Sequence, residues 1–165
     1  MGRPKIKIRK TPLDWCIEIA GLLLVLVYWL IVLLNYFKLP EIIPMHYNAL
    51  GEIDGWGGKS TLLVLPVLST AMYIGITFLQ KVPHFFNYAN IEITEHNAER
   101  LYTIAVRMIS ILKLSMVAIF VLLTILVLQD ALKTFWFVKF WMILAMFGAD
   151  AIIIIYFLKK MYAAR

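Results

Sequence analysis

Cysteine is almost missing from this sequence: Cys16 stands alone in 165 residues. One thiol excludes an intramolecular disulfide framework and a zinc site built on cysteines, and Cys16, at the start of an apolar run, reads as packing. Charge is scarce as well. Only 16% of residues are charged, against 62% apolar and 14% aromatic. That leaves too little polar side chain to cover a water-soluble domain of this size, so part of the solvent is lipid. Internal repeats are lacking, because the loops of the first and second helical hairpins differ, and a single domain over residues 1–165 is the economical reading. A catalytic constellation is lacking too. No nucleophile lies beside a base, and neither His84 nor His96 has an obvious Ser or Cys partner. Nothing argues for an enzyme, and no cofactor is expected.

Long apolar runs are what the sequence does have. Residues 15–34, 60–80, 108–128 and 136–158 are each about long enough to cross a ~30 Å hydrocarbon core at 1.5 Å per residue. The expected fold is all-α, an integral membrane four-helix bundle with the lipid bilayer as its main partner. The basic start, Arg3, Lys5, Lys7, Arg9 and Lys10, resembles the head of a signal peptide. The apolar run behind it is too long, however, and no small-x-small cleavage site follows, so the first span is expected to be retained. Pro66 predicts a kink in the second span, with Ser69 and Thr70 serving the freed backbone. Thr94 predicts the N-cap of a third helix, with Glu95 and Glu99 in its first turns. A turn at Asp130 and Lys133 leads to the last span, where Trp136, Trp141 and Tyr156 suit the aromatic belts of a membrane helix.

The net charge of +6 does not point to nucleic acid, since the cations gather at the chain ends and beside apolar runs. With both termini cytoplasmic, the inner segments hold Arg3, Lys5, Lys7, Arg9, Lys10, Lys81, Arg100, Lys159, Lys160 and Arg165, with Arg107 at the boundary. The outer loops then hold only Lys38, Lys59, Lys133 and Lys139. This asymmetry sets the expected orientation.

Residues 39–59, LPEIIPMHYNALGEIDGWGGK, are the one stretch that packing between helices does not explain. Pro40 and Pro44 forbid a regular helix, and four glycines favour turns, so an irregular extracytoplasmic loop is expected. His46, Asn48, Asp54, Trp56 and Lys59 are its candidate ligand-binding residues. His46, Glu52 and Asp54 are also of metal-ligating type, but their spacing of six and eight residues matches no metal motif. A plainer reading has Asn48 capping its own turn, Asp54-Gly55 turning again, Trp56 resting at the interface and Lys59 snorkelling.

Three charges fall within apolar runs: Glu18, Lys113 and Asp150. An isolated charge at the bilayer centre costs ~2.5–3.5 kcal/mol on insertion scales. Lys113 is expected to pair with Asp150, with Glu18 as the competing partner, and a structural tie is favoured over an ion or proton path. Gly21, Ser115 and Gly148 would permit the close approach of a second copy in a homo-oligomer.

The motifs Leu39-Pro40, Ile43-Pro44, His46-Tyr47-Asn48, Gly51, Asp54-Gly55-Trp56-Gly57 and Lys59 resemble the signature of a bacterial membrane domain of unknown function that also forms the N-terminal part of SdpI-type immunity proteins. Pro83, Asn87-Tyr88, the stretch 95–102, Arg107 and Lys113 are similar to that family's second region, so the likeness covers roughly residues 22–127. SdpI-type proteins protect a cell from its own secreted peptide toxin and hold a transcriptional repressor at the membrane. They carry additional spans after this domain, where this sequence provides about four. The resemblance implies a bacterial inner-membrane location and recognition of an extracellular peptide or small ligand through the 39–59 loop. The alternatives are a transporter or channel subunit using the intramembrane charges, and a metal-dependent membrane enzyme.

Overall fold

The computed structural model describes residues 3–88, 90–134 and 138–165, and four of its helices are long and apolar enough to cross a membrane. The first, α1 (Pro12–Tyr36), starts at a reciprocal cap. The Thr11 hydroxyl accepts from the Asp14 N–H, the Asp14 carboxylate accepts from the Thr11 N–H, and Pro12 takes the first helical position, where an N–H would have no helical partner. Asp14, Gly21, Val25, Tyr28 and Val32 form one buried stripe. The opposite side of the helix, including Leu22, Leu26, Leu30 and Leu33, is exposed apolar surface that suits lipid, while Leu24, Trp29 and Ile31 are partly buried beside the stripe.

The stretch after α1 is regular. Strands β1 (Ile42–Tyr47) and β2 (Ile53–Gly58) pair antiparallel, Ile42 opposite Gly58 and Tyr47 opposite Ile53, with the register slipping on both sides of His46. The irregular loop expected from its prolines and glycines is thus a β-hairpin inside a mostly α protein. A 3-10 turn (Lys59–Leu63) leads into α2 (Val64–Leu79), which places Pro66 in the first helical turn. No N–H is missed there, so the expected kink has no cause. The Thr70 hydroxyl donates to the Pro66 carbonyl at 2.7 Å, whereas Ser69 Oγ is buried without a partner among the described residues.

Helix α3 (Ala98–Leu132) begins later and ends later than its sequence suggests. Asn97, not Thr94, is the N-cap residue, and its side chain turns back to accept from the Thr94 N–H and donate to the Glu92 carbonyl. Asp130 lies within the helix, and the turn falls on Lys133, a non-glycine residue at φ 51°. At 35 residues the helix is about 52 Å long, more than a bilayer core requires. Helix α4 (Phe140–Tyr162) follows; Trp136 lies outside the described residues, while Trp141 and Tyr156 are exposed near its two ends.

Helix α3 is the spine. Helices α1, α2 and α4 all pack on it, and α1 also touches α2. A buried Tyr28 hydroxyl meets Thr124 Oγ1 at 2.6 Å, and the Trp29 indole donates to Thr70 at 2.9 Å. Gly21 serves this packing within one chain, since a Cβ there would lie 3.0 Å from the Tyr73 ring; Gly148 faces open space. Both chain ends gather at one end of the spine. Tyr102 donates to the Pro4 carbonyl at 3.0 Å, and Met161 and Ala164 share an apolar cluster with Tyr88 and Leu101. The hairpin sits at the other end, with Leu39 and Ile43 buried in a cluster that includes Val127 and Leu128.

Candidate functional site

The hairpin is fixed to the helices by its buried residues and by one bond. The Tyr47 hydroxyl donates to Asp130 Oδ2 at 2.9 Å, near the end of α3. Burial and that carboxylate together hold the Tyr47 hydroxyl well above the ordinary phenol range. The tip is organised by Asn48, whose side-chain oxygen accepts from the N–H groups of Leu50 and Glu52 while its amide donates to the Glu52 carboxylate. Gly51 closes the turn at φ 80°, and a Cβ there would stand 2.8 Å from Phe140 Cβ. Gly51→Ala is therefore expected to cost about 1–2 kcal/mol from the left-handed backbone alone. A thermal melt of the purified variant that matches wild type would contradict this.

Of the five candidate ligand-binding residues, two are used by the hairpin itself. Asn48 holds the tip, and Lys59 donates to Glu41 at 2.8 Å with its ammonium 5.9 Å from the centre of the Tyr36 ring. The other three are exposed, although His46 and Asp54 are tied to each other. His46 donates from Nδ1 to Asp54 Oδ1 at 2.5 Å across the strands, and Trp56 is 63% exposed. Gly55 makes the His46 contact possible, because a Cβ at Gly55 would lie 2.8 Å from that of His46. Glu52, the third candidate metal ligand, is turned to Asn48. Among the described residues no group of three His, Cys, Asp or Glu side chains is placed to hold a metal ion.

The intramembrane charges are arranged differently from the expected pairing. Lys113 meets Glu18, not Asp150: its ammonium donates to Glu18 Oε2 at 2.7 Å, to Thr77 Oγ1 at 3.0 Å and to Gln80 Oε1 at 3.1 Å. All three ammonium protons thus have acceptors, and the nitrogen also lies 4.6 Å from the centre of the Tyr73 ring. Gln80 donates onward to Ser110 at 2.7 Å, and Ser110 lies 3.2 Å from Glu18 Oε1. Lys10 reaches the same carboxylate oxygen at 3.3 Å. The cluster joins α1, α2 and α3 close to the end where the termini gather. Asp150 lies on the face of α4 that carries Ile143, Met146, Ile153 and Phe157 into packing, and its Oδ1 is buried without a partner among the described residues.

A second ion pair, absent from the sequence-based expectations, lies beside this cluster. Arg107 Nε donates to Asp14 Oδ1 at 2.7 Å, and its Nη2 donates to Asp14 Oδ2 at 3.1 Å and lies 3.2 Å from Thr11 Oγ1. Thr11-Pro12-Leu13-Asp14, a capping pattern directly ahead of an apolar run, signals the helix start that includes Asp14, but nothing in the sequence names Arg107 as its partner.

Residues 23–70, from α1 through the whole hairpin into α2, match the family described as a domain of unknown function (DUF1648). An uncharacterized protein of Archaeoglobus fulgidus is 37% identical over 75 residues, which are 41% of this chain and 41% of that protein. The chain therefore spans well under half the length of that relative. No solved structure matches. The chain is an integral membrane protein of mostly α fold, and the part similar to the family of unknown function is built around the hairpin.

Proposed function

We propose that the protein is a membrane receptor that recognises an extracellular peptide or small ligand on its hairpin, with both termini in the cytoplasm. One observation carries the reading. The sheet has only two strands, so the outer edge of β2 has no neighbouring strand among the described residues, and Asp54 and Trp56 are exposed along that strand. An extended peptide can add to such an edge through main-chain hydrogen bonds, with an exposed aromatic and a carboxylate supplying side-chain contacts. The Lys/Arg excess at the termini end supports the orientation. The resemblance to SdpI-type immunity proteins favours a secreted peptide toxin as the ligand, in the inner membrane of a bacterium.

The test is survival and membrane potential of sensitive bacteria challenged with a secreted peptide of that toxin class. Wild type is expected to protect, and His46→Ala, Asp54→Ala and Trp56→Ala to lose protection at equal expression. Equal protection by wild type and all three variants would remove the hairpin from the mechanism. No protection by wild type would remove immunity to that toxin.

A second reading, movement of an ion or proton through the helices, is favoured by Asp150. An ionisable group in the middle of a span, with a buried oxygen that has no partner among the described residues, is a functional candidate by position. Its test is flux in proteoliposomes: Asp150→Asn with an unchanged fold should abolish it, and undiminished flux would end this reading.

A further inference from the structure

The segment ahead of α1 has no regular secondary structure, yet it is fastened along its length. Arg3 donates to the carbonyls of His84 and Phe86 and lies over the Tyr88 ring, Pro4 accepts from Tyr102, Ile8 packs with the cluster around Tyr88, and Thr11 is held by Asp14 and Arg107. This strap borders an open cleft of about 850 Å³ lined by Lys7, Ile8, Arg9, Lys10 and Trp15. Lys10 is shared with Glu18 and lies 5.2 Å from the Trp15 ring centre. Lys7 and Arg9 are exposed and have no carboxylate partner among the described residues.

The depth of the cleft indicates what fills it. Trp15 and Leu13, both more than half exposed, mark where the apolar surface of α1 begins, so the cations stand at the level of the lipid headgroups. We infer that the cleft binds the phosphate of an anionic phospholipid, Lys7 and Arg9 supplying the charge and Trp15 lying against the glycerol and upper acyl region. A strap fixed before the lipid arrives loses little freedom on binding, which separates this site from diffuse attraction between a basic tail and a membrane.

The experiment is native mass spectrometry of the full-length protein in detergent, titrated with phosphatidylglycerol or phosphatidylcholine. Wild type should prefer phosphatidylglycerol. Each cation near the membrane surface is worth roughly a factor of five in binding, so K7Q/R9Q should weaken phosphatidylglycerol roughly 25-fold. The control K159Q/K160Q removes the same charge from exposed positions at the same end and should leave binding within about twofold. Equal losses in the two double variants would show charge attraction without a site and overturn the inference. So would a wild type with no headgroup preference, a reading that needs no variant. Displacement of the lipid by millimolar inorganic phosphate would make it a small-anion site instead.

Discussion

Lys113→Met is expected to lower the unfolding free energy by about 3–5 kcal/mol, the usual cost of leaving one member of a buried pair without the other. Lys113 is only 1% exposed and its partner Glu18 11%. Removing the ammonium takes the donor from Glu18 Oε2 and from the Thr77 and Gln80 oxygens, and leaves the carboxylate with Lys10 and Ser110 on Oε1 alone, which puts the expected loss at the lower end of that range. The double variant Glu18→Leu with Lys113→Met should be less damaged than Lys113→Met alone, because replacing both members of a buried pair with apolar residues is often neutral or stabilising by about 1–4 kcal/mol. Asp150→Asn should leave stability near wild type or above it, since Oδ1 has no partner among the described residues and the change removes a charge from the span. Thermal or denaturant unfolding in detergent measures all three. If the double variant is as unstable as the sum of the two singles, the groups act separately and the tie between α1 and α3 is not an ion pair.

Arg107→Leu is the second large effect, at about 2–3 kcal/mol. That value lies between the exposed and fully buried cases because the Arg107 side chain is 24% exposed and that of Asp14 12%. The guanidinium engages both carboxylate oxygens and the Thr11 hydroxyl, so it holds the start of α1 against α3 and sets where the strap ends. Arg107→Lys keeps the charge but not the planar fork, and should recover less than half of the loss. Limited proteolysis gives an independent readout: cleavage before Thr11 should accelerate in Arg107→Leu. Unchanged cleavage together with unchanged stability would reduce the pair to a surface contact.

The helices were legible in the sequence because lipid imposes a simple demand, about twenty apolar residues per crossing. Their limits were less so. At the start of α3 two N-cap types compete, Thr94 and Asn97, and at its end Lys133 carries no boundary signal, while Asp130 looks like a turn residue although it sits in the helix and accepts from Tyr47. The hairpin was hidden by its own composition. Pro44 in β1 and Gly55, Gly57 and Gly58 in β2 are types that strands disfavour, and here Gly55 makes room for His46 and Gly57 for Met45. The partner of Lys113 was not legible at all. Choosing between Glu18 and Asp150 requires knowing which side of α3 faces α1, and apolarity all round a membrane helix erases the periodicity that would say so. Thr77, Gln80 and Ser110 completed the site without any pattern to announce them.

The placement of Lys113 also bears on how the protein is made. It lies 95 residues after Glu18, so at a synthesis rate of about 5–20 residues per second Glu18 waits roughly 5–19 s for its partner. During that interval α1 and α2 are complete but the spine that joins them is not. Lys10, eight residues before Glu18 and within 3.3 Å of its other oxygen, is already present. The carboxylate thus has a local counter-charge from the moment α1 enters the bilayer, and the later arrival of Lys113 on its other oxygen adds the joint between three helices to a pairing that persists.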